Sequence, residues 1–322
     1  MRTQAPPILS VHDMRVGYRT PRGVVIAVDG VTIEIAEGEA VGLVGESGCG
    51  KTTLGRAIVG VLPEEGFVEG RVEIGGRDFT ALPRDERRRM RGEEIALVFQ
   101  EPMTRLNPLM RVEDHFVETI RAHKSDVTKD EAKRMAREAL KAMGIPPTRV
   151  SSYPHEFSGG MRQRIMIALG IVLRPKLVIA DEPTTALDVI VEAQILSILE
   201  DLKDSYDMGL LLITHNLGIV AQTCDRVAVM YAGKIVEIGD VRDVFAEPKH
   251  PYTQGLLRSL IHLDTTELSS IPGAPPDLLR PPPGCRFAPR CPHRMPVCTE
   301  RVPVLAEVEG GQEAACFLYP GS

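Results

Sequence analysis

The chain has 322 residues, 43% hydrophobic and 25% charged, with a formal net charge of -6. That length and balance predict a soluble globular protein with a large core and more than one domain. Aromatic residues are only 4% and tryptophan is absent, which argues against a base-stacking nucleic-acid surface, and the negative charge argues against bulk phosphate-backbone binding. The basic run Arg84 to Arg91 reads as a solvated helix face. No 18 apolar residues run together, so no membrane-spanning helix is expected. The first residues lack the apolar stretch of a signal peptide, so a cytoplasmic chain is expected, with any membrane association made through a partner.

In chain order, the first forty residues read as strands, with alternating Val and Ile separated by turn residues. Ala40 to Val44 is a short buried strand, followed by a glycine-rich turn and a helix opening near Lys51. Ile95 to Phe99 is another strand. Val112 to His123 and Lys129 to Met143 carry helical apolar spacing, which Pro146 and Pro147 end. A helix is expected from Ser158 through Leu173, a strand at Leu177 to Ala180 and an amphipathic helix at Val189 to Leu202. Strands are expected at Leu210 to Ile213 and Val227 to Tyr231. This alternation predicts an α/β core with a parallel sheet. Composition shifts near residue 262: the window from Pro272 to Pro303 holds ten of the 25 prolines. Residues 262 to 322 therefore read as an irregular appendage, stapled by something other than a hydrophobic core.

Gly45-Glu46-Ser47-Gly48-Cys49-Gly50-Lys51-Thr52 fits G-x-x-x-x-G-K-[ST] in full, between a strand and a helix. Glycines permit the tight turn that points backbone N–H groups inward as an anion nest. Lys51 is expected to reach the β- and γ-phosphates of ATP. The Thr52 hydroxyl is expected on Mg²⁺, and Thr53 adds an α-phosphate contact. Leu177 to Glu182 is an apolar strand ending in two carboxylates. Asp181 suits a Mg²⁺ ligand, and Glu182 suits a general base that polarises the attacking water. His215 and Gln100 each end a strand, where α/β sheets place ligand sites. His215 is placed to bond the γ-phosphate, and the Gln100 amide to reach Mg²⁺ or the water. Ser158 caps a helix whose N-terminus is opened by Gly159 and Gly160 and continued by Met161. That is a second anion-binding device, which one ATP does not need from one subunit. It is expected to serve a nucleotide held by another subunit.

These residues resemble the ATP-binding cassette (ABC) family, over roughly residues 8 to 260 and in the expected order. Gly45 to Thr52 is similar to the Walker A loop, Gln100 to the Q-loop glutamine and Ser158-Gly159-Gly160-Met161 to the signature motif. Leu177 to Glu182 is similar to Walker B with Glu182 as the catalytic glutamate. Ala186-Leu187-Asp188 is similar to the D-loop and His215 to the switch histidine, while Tyr18 sits where the family stacks an aromatic on adenine. The signature reads FSGGM where the family's consensus is LSGGQ, but its nucleotide-facing Ser158 and Gly160 are kept. The resemblance implies a P-loop NTPase-type nucleotide-binding domain over 1–261: a RecA-like parallel sheet core, an antiparallel β subdomain and an α-helical subdomain at about 101–173. It implies Mg²⁺ held by Thr52, Gln100 and Asp181.

Gln100-Glu101-Pro102-Met103, Leu106-Asn107-Pro108, His250-Pro251-Tyr252-Thr253 and Gly284 to Pro292 narrow the resemblance to the ATPase subunits of oligopeptide and dipeptide importers. That implies a peripheral protein on the cytoplasmic face of the membrane. Its partners would be a second, identical or homologous ATPase, two transmembrane permeases and, indirectly, an external solute-binding protein, with no nucleic acid. Oligosaccharides or nickel complexes are alternative cargoes. A soluble ABC ATPase acting on nucleic acid or ribosomes is an alternative of another class, though the second cassette or long coiled-coil insert usual there is absent. An iron–sulfur redox enzyme switched by ATP would need further cofactor residues, which the sequence lacks.

Cys285, Cys291, Cys298 and Cys316 are separated by five, six and seventeen residues, unlike the close pairs of zinc knuckles. Four thiolates in a proline-rich segment suit a [4Fe-4S] cluster, and members of the resembled group carry one in this tail. Zinc or unliganded thiols remain alternatives. Cys49 reads as a small loop residue and Cys224 as core.

Overall fold

The computed structural model describes residues 7–99, 106–185, 187–259, 270–308 and 310–321. Gln100 and Ala186 lie outside them. The elements run β1 (Pro7–Thr20), β2 (Gly23–Ala36), β3 (Ala40–Val44), α1 (Lys51–Val59), β4 (Gly66–Ile74), β5 (Arg77–Asp78), α2 (Arg84–Glu93) and β6 (Ile95–Val98). Next come α3 (Val112–His123), α4 (Lys129–Ala142), α5 (Gly159–Ile171), β7 (Leu177–Asp181), α6 (Val189–Tyr206), β8 (Gly209–Ile213), α7 (Leu217–Thr223), β9 (Arg226–Tyr231) and β10 (Lys234–Asp240). The chain ends with α8 (Val241–Ala246), α9 (Pro251–Arg258), α10 (Val297–Glu300), β11 (Ala306–Glu307) and β12 (Glu313–Ala314). No described helix is long and apolar enough to cross a membrane.

Two compact units share the chain. The first comprises Met1–Leu9, Ile35–Glu39 and Glu73–Leu211. In it β6 and β7 pair in parallel, Ile95 opposite Leu177 through Val98 opposite Ala180. Every residue of β7 is buried, as expected of a strand covered on both faces. Helices α3, α4 and α5 pack against one another in this unit. The α4 helix is held at its start by Thr128, whose hydroxyl accepts the Glu131 N–H at 3.3 Å, and buries Ala132, Ala136 and Leu140 at i, i+4, i+8 spacing. The arginine run falls on α2, which buries only Met90, so it is the solvated face its composition implies.

The second unit comprises Ser10–Glu34, Ala40–Val72 and Leu212–Ser322. Here β3 runs parallel to β9, Val41 opposite Arg226 through Val44 opposite Val229. Antiparallel β10 follows, with a register shift between Ile235 and Glu237. β12 then pairs with β10 and β11 with β12. Pairing is thus mixed, parallel at the centre and antiparallel at the C-terminal side.

The C-terminal segment differs from the coreless appendage its composition implies. Its strand β12 hydrogen-bonds to β10, and Phe287, 2% exposed, enters a hydrophobic cluster of this unit with Val44, Val229, Tyr231 and Tyr252. The Tyr231, Tyr252 and Phe287 rings stand 4.5 to 5.4 Å apart, tilted or edge to face, the arrangement aromatic quadrupoles favour. Proline-rich stretches suppress regular elements, but they do not prevent one large ring from filling a core position.

Candidate nucleotide-binding site

The phosphate loop belongs to the second unit. It leaves β3 at Gly45 and enters α1 at Gly50, which caps the helix with φ +110°, a region only glycine occupies without strain. The space is closed as well: a Cβ on Gly50 would stand 2.2 Å from the Ala27 carbonyl oxygen, and one on Gly45 2.1 Å from that of Met230. Gly48, by contrast, has φ +79° and open space around it. The loop is braced from behind by the β9–β10 turn, where the Gly233 N–H donates to the Cys49 carbonyl at 2.8 Å and the Asp29 N–H donates to the Gly233 carbonyl at 2.8 Å.

Lys51 is buried, and its ammonium donates to the carbonyls of Gly45 at 2.8 Å and Glu46 at 3.1 Å. Its charge therefore lies over the loop whose N–H groups form the nest. Ser47 and Gly48 are exposed, and Thr52 and Thr53 half-buried at the first turn of α1. Tyr18 on β1 donates its hydroxyl to Thr53 Oγ1 at 3.2 Å, so its ring lies beside that turn. Cys49 is buried, and burial pushes its thiol up, which keeps it neutral and fits a small packing residue. His215 is exposed directly after β8, where buried Thr214 accepts the Asn216 N–H at 3.0 Å and Asn216 in turn caps α7.

In the first unit, β7 ends at Asp181, 1% exposed. Glu182 follows with φ +46°, a left-handed conformation that costs a non-glycine residue roughly 1–2 kcal/mol. Such strain is typical of functional positions. The turn is held by Thr185, whose hydroxyl donates to Glu182 Oε2 at 2.7 Å. The helix α5 begins at an exposed Ser158, whose Oγ accepts the Met161 N–H at 3.3 Å. Gly159 has nothing within 4 Å of a notional Cβ, while one on Gly160 would meet Val191 at 2.6 Å. Val191 lies in the first turn of α6, which Asp188 caps by accepting the Val191 N–H at 3.0 Å. Within this unit the Ser-Gly-Gly start and the Asp188 cap are therefore packed side by side.

The four C-terminal cysteines, all in the second unit, line one small cavity with His250, Pro251, Phe287 and Phe317. None is in a disulfide. Burial pushes the Cys285 and Cys291 thiols up and the Cys316 thiol to about 11. Burial also pushes His250 down to about 3. It stays neutral, its Nδ1 accepting the Tyr252 N–H at 3.0 Å. Among the described residues no three His, Cys, Asp or Glu side chains converge to hold one metal ion. The thiols share a cavity but do not meet at a point, as a tetrahedral ion would require. Thiolates are the ligand type that a four-iron cluster takes.

Sequence reasoning missed what holds the loop from the C-terminal side. Arg290 donates from Nη1 to Glu46 Oε2 at 2.7 Å and from Nη2 to Glu46 Oε1 at 3.0 Å. Tyr252 accepts the Glu46 N–H at 2.9 Å. Arg286 donates to the Ala232 carbonyl and pairs with Asp29. The one signal available was the presence of arginines between cysteines in a segment otherwise poor in charge.

A phosphate loop, a strand ending in Asp-Glu and an exposed Ser-Gly-Gly helix start are together the parts of an ATP-binding cassette. Comparison with known proteins agrees. The ABC transporter family matches residues 28–185, and the oligopeptide/dipeptide transporter C-terminal region matches residues 236–298. The oligopeptide transport ATP-binding protein OppD of Salmonella typhimurium is 47% identical over 98% of this chain and 96% of its own length. The dipeptide transport ATP-binding protein DppD of Bacillus subtilis is 47% identical over 97% and 94%. Among solved structures, the dimeric ATP-binding cassette MJ0796 in a post-hydrolysis state bound to ADP and Pi aligns with a TM-score of 0.65. It is 25% identical and covers 73% of this chain and 99% of its own. The chain belongs to the ABC transporter family, within the group of oligopeptide and dipeptide transport ATP-binding proteins.

The closed position at Gly50 and the open one at Gly48 make a direct test. Gly50→Ala is expected to cost about 3 kcal/mol or more through clash and strain, against roughly 1–2 kcal/mol for Gly48→Ala, which meets the left-handed penalty alone. Denaturant unfolding of both variants measures this; equal losses would contradict the packing described.

Proposed function

We propose that this chain is the ATP-hydrolysing subunit that energises a membrane importer of oligopeptides or dipeptides. The observation that carries the reading is the pair of anion devices: a phosphate loop with a buried lysine folded over it, and an exposed, capped Ser-Gly-Gly helix start. The names of the relatives and the matched C-terminal region favour peptides over oligosaccharides or nickel complexes. They also favour a transport role over action on nucleic acid or ribosomes. Residues 1–261 are the nucleotide-binding domain, with its helical subdomain at about 101–173, and residues 262–322 the C-terminal segment.

The loop amides and Lys51 bind the phosphates, and the Tyr18 ring packs on the adenine. Thr52, Gln100 and Asp181 would hold Mg²⁺, which supplies charge neutralisation at the β- and γ-phosphates. Glu182 takes the proton of the attacking water, and its strained backbone fixes the carboxylate's direction. His215 donates to the oxygen on which charge develops. Ser158, Gly159, Gly160 and Met161 act on the ATP of a second ATPase subunit, with Asp188 beside them. That pair works beneath two permeases, on the cytoplasmic face of the membrane, and receives solute indirectly from an external binding protein.

Cys285, Cys291, Cys298 and Cys316 hold a [4Fe-4S] cluster, with zinc as the alternative. The shared cavity and the four-thiol donor set support this reading. The group would supply cross-linking and folding energy to a segment with few regular elements.

Glu182→Gln is expected to bind ATP but to lose turnover on the order of 100-fold or more, as loss of a general base does; near wild-type hydrolysis contradicts the assignment. For the tail, anaerobic purification is expected to give a brown protein with about four iron and four sulfide per chain. A colourless protein containing zinc contradicts the cluster.

A further inference from the structure

Glu46 is an awkward residue for a phosphate loop. Its carboxylate stands among backbone groups whose purpose is to attract polyphosphate, and like charges a few ångströms apart in a partly desolvated site repel strongly. The structure deals with that charge through one residue of the C-terminal segment. Arg290 lies 244 positions away in sequence and forks across both carboxylate oxygens of Glu46. Its side chain is only 4% exposed, while that of Glu46 is 27% exposed. Every other donor direction of the guanidinium is also fixed. Nε donates to the Pro272 carbonyl at 2.9 Å, Nη2 to the Ile271 carbonyl at 3.1 Å, and Nη1 to the Tyr231 hydroxyl at 3.3 Å. A planar fork held this way carries no freedom to leave, which a lysine ammonium could not match.

Glu46 itself is anchored at each polar group. Its N–H is held by Tyr252, its carbonyl by Lys51 and its carboxylate by Arg290. Arg290 ends the short turn Ala288–Arg290, which begins one residue after Phe287 and runs straight into Cys291. The Arg290 side chain therefore joins the thiol-lined segment directly to the phosphate loop.

We propose that Arg290 is a positioning residue of the nucleotide site: it neutralises Glu46 and fixes the loop's backbone, so that affinity for MgATP depends on the C-terminal segment. This rests on the reading that Gly45 to Thr52 binds ATP. Arg290 need not touch the nucleotide. It removes a repulsive charge and holds the N–H groups in place before ATP arrives, so its contribution appears in binding.

The test is equilibrium binding of MgATP to the full chain by titration calorimetry, with melting curves alongside. Arg290→Gln is expected to weaken MgATP binding by about tenfold or more, because a half-buried carboxylate is left unpaired beside the phosphates. Arg290→Lys keeps the charge but loses the fork, and is expected to bind more tightly than Arg290→Gln and more weakly than wild type. Adding Glu46→Gln to Arg290→Gln removes the stranded charge and is expected to bring affinity back to within about threefold. A merely structural arginine would lower the melting temperature on substitution and leave the MgATP affinity of the folded chain unchanged. The proposal is overturned if folded Arg290→Gln binds within about twofold of wild type, or if the lysine and double variants bind as weakly as the single glutamine variant. Should Arg290→Gln fail to fold, the double variant decides: near wild-type affinity supports the proposal, and a tenfold loss overturns it. A wild-type chain that binds no MgATP overturns the phosphate-loop reading, and this proposal with it; a wild type that binds and an Arg290→Gln variant that binds equally overturns the proposal alone.

Discussion

The second unit is arranged around a loop that has no room for a Cβ at two of its glycines. Gly45 and Gly50 press against the carbonyls of Met230 and Ala27. The β9–β10 turn supports the loop by a hydrogen bond to Cys49, and β3 and β9 in parallel set the height at which it leaves the sheet. Preorganised N–H groups are worth more than flexible ones, because no ordering cost is met when the anion binds. The close backbone packing around the loop is the structural form of that preorganisation.

The C-terminal segment belongs to the same arrangement. Arg286 holds the β9–β10 turn, Arg290 holds Glu46, and Phe287 between them fills the space beside Tyr231 and Tyr252. Three residues within five positions brace the loop from one side. The cysteines that flank them line their own cavity immediately behind. A segment that looks dispensable by composition is thereby built into the unit that carries the phosphate loop.

How much of this was legible depended on range. The phosphate loop, the Asp181–Glu182 strand end and the Ser158 cap are local patterns, in which a residue's role is set by neighbours a few positions away. They could be read in order along the chain. Strand β10 escaped because Glu237 interrupts its apolar pattern. That carboxylate is fully buried and is satisfied by the N–H groups of Lys249 and His250, at 2.6 and 2.9 Å, a solution invisible in the strand itself. The Glu46–Arg290 pair spans most of the chain and leaves no periodic or spacing signal. Phe287 was hidden for a different reason: its proline-rich surroundings suggest exposure, and only the tertiary partners Tyr231 and Tyr252 show it to be core.

On the proposed function, this chain carries two halves of two different sites, a loop for its own ATP and a signature helix for a partner's. Hydrolysis by the purified full chain, measured as turnover per chain across a wide range of protein concentration and again with its permeases and partner ATPase, tests this directly. The account predicts that the dilute chain binds MgATP yet turns over slowly, and that turnover per chain rises with concentration or on assembly. Full turnover by the dilute monomer, independent of concentration and of partners, would contradict it.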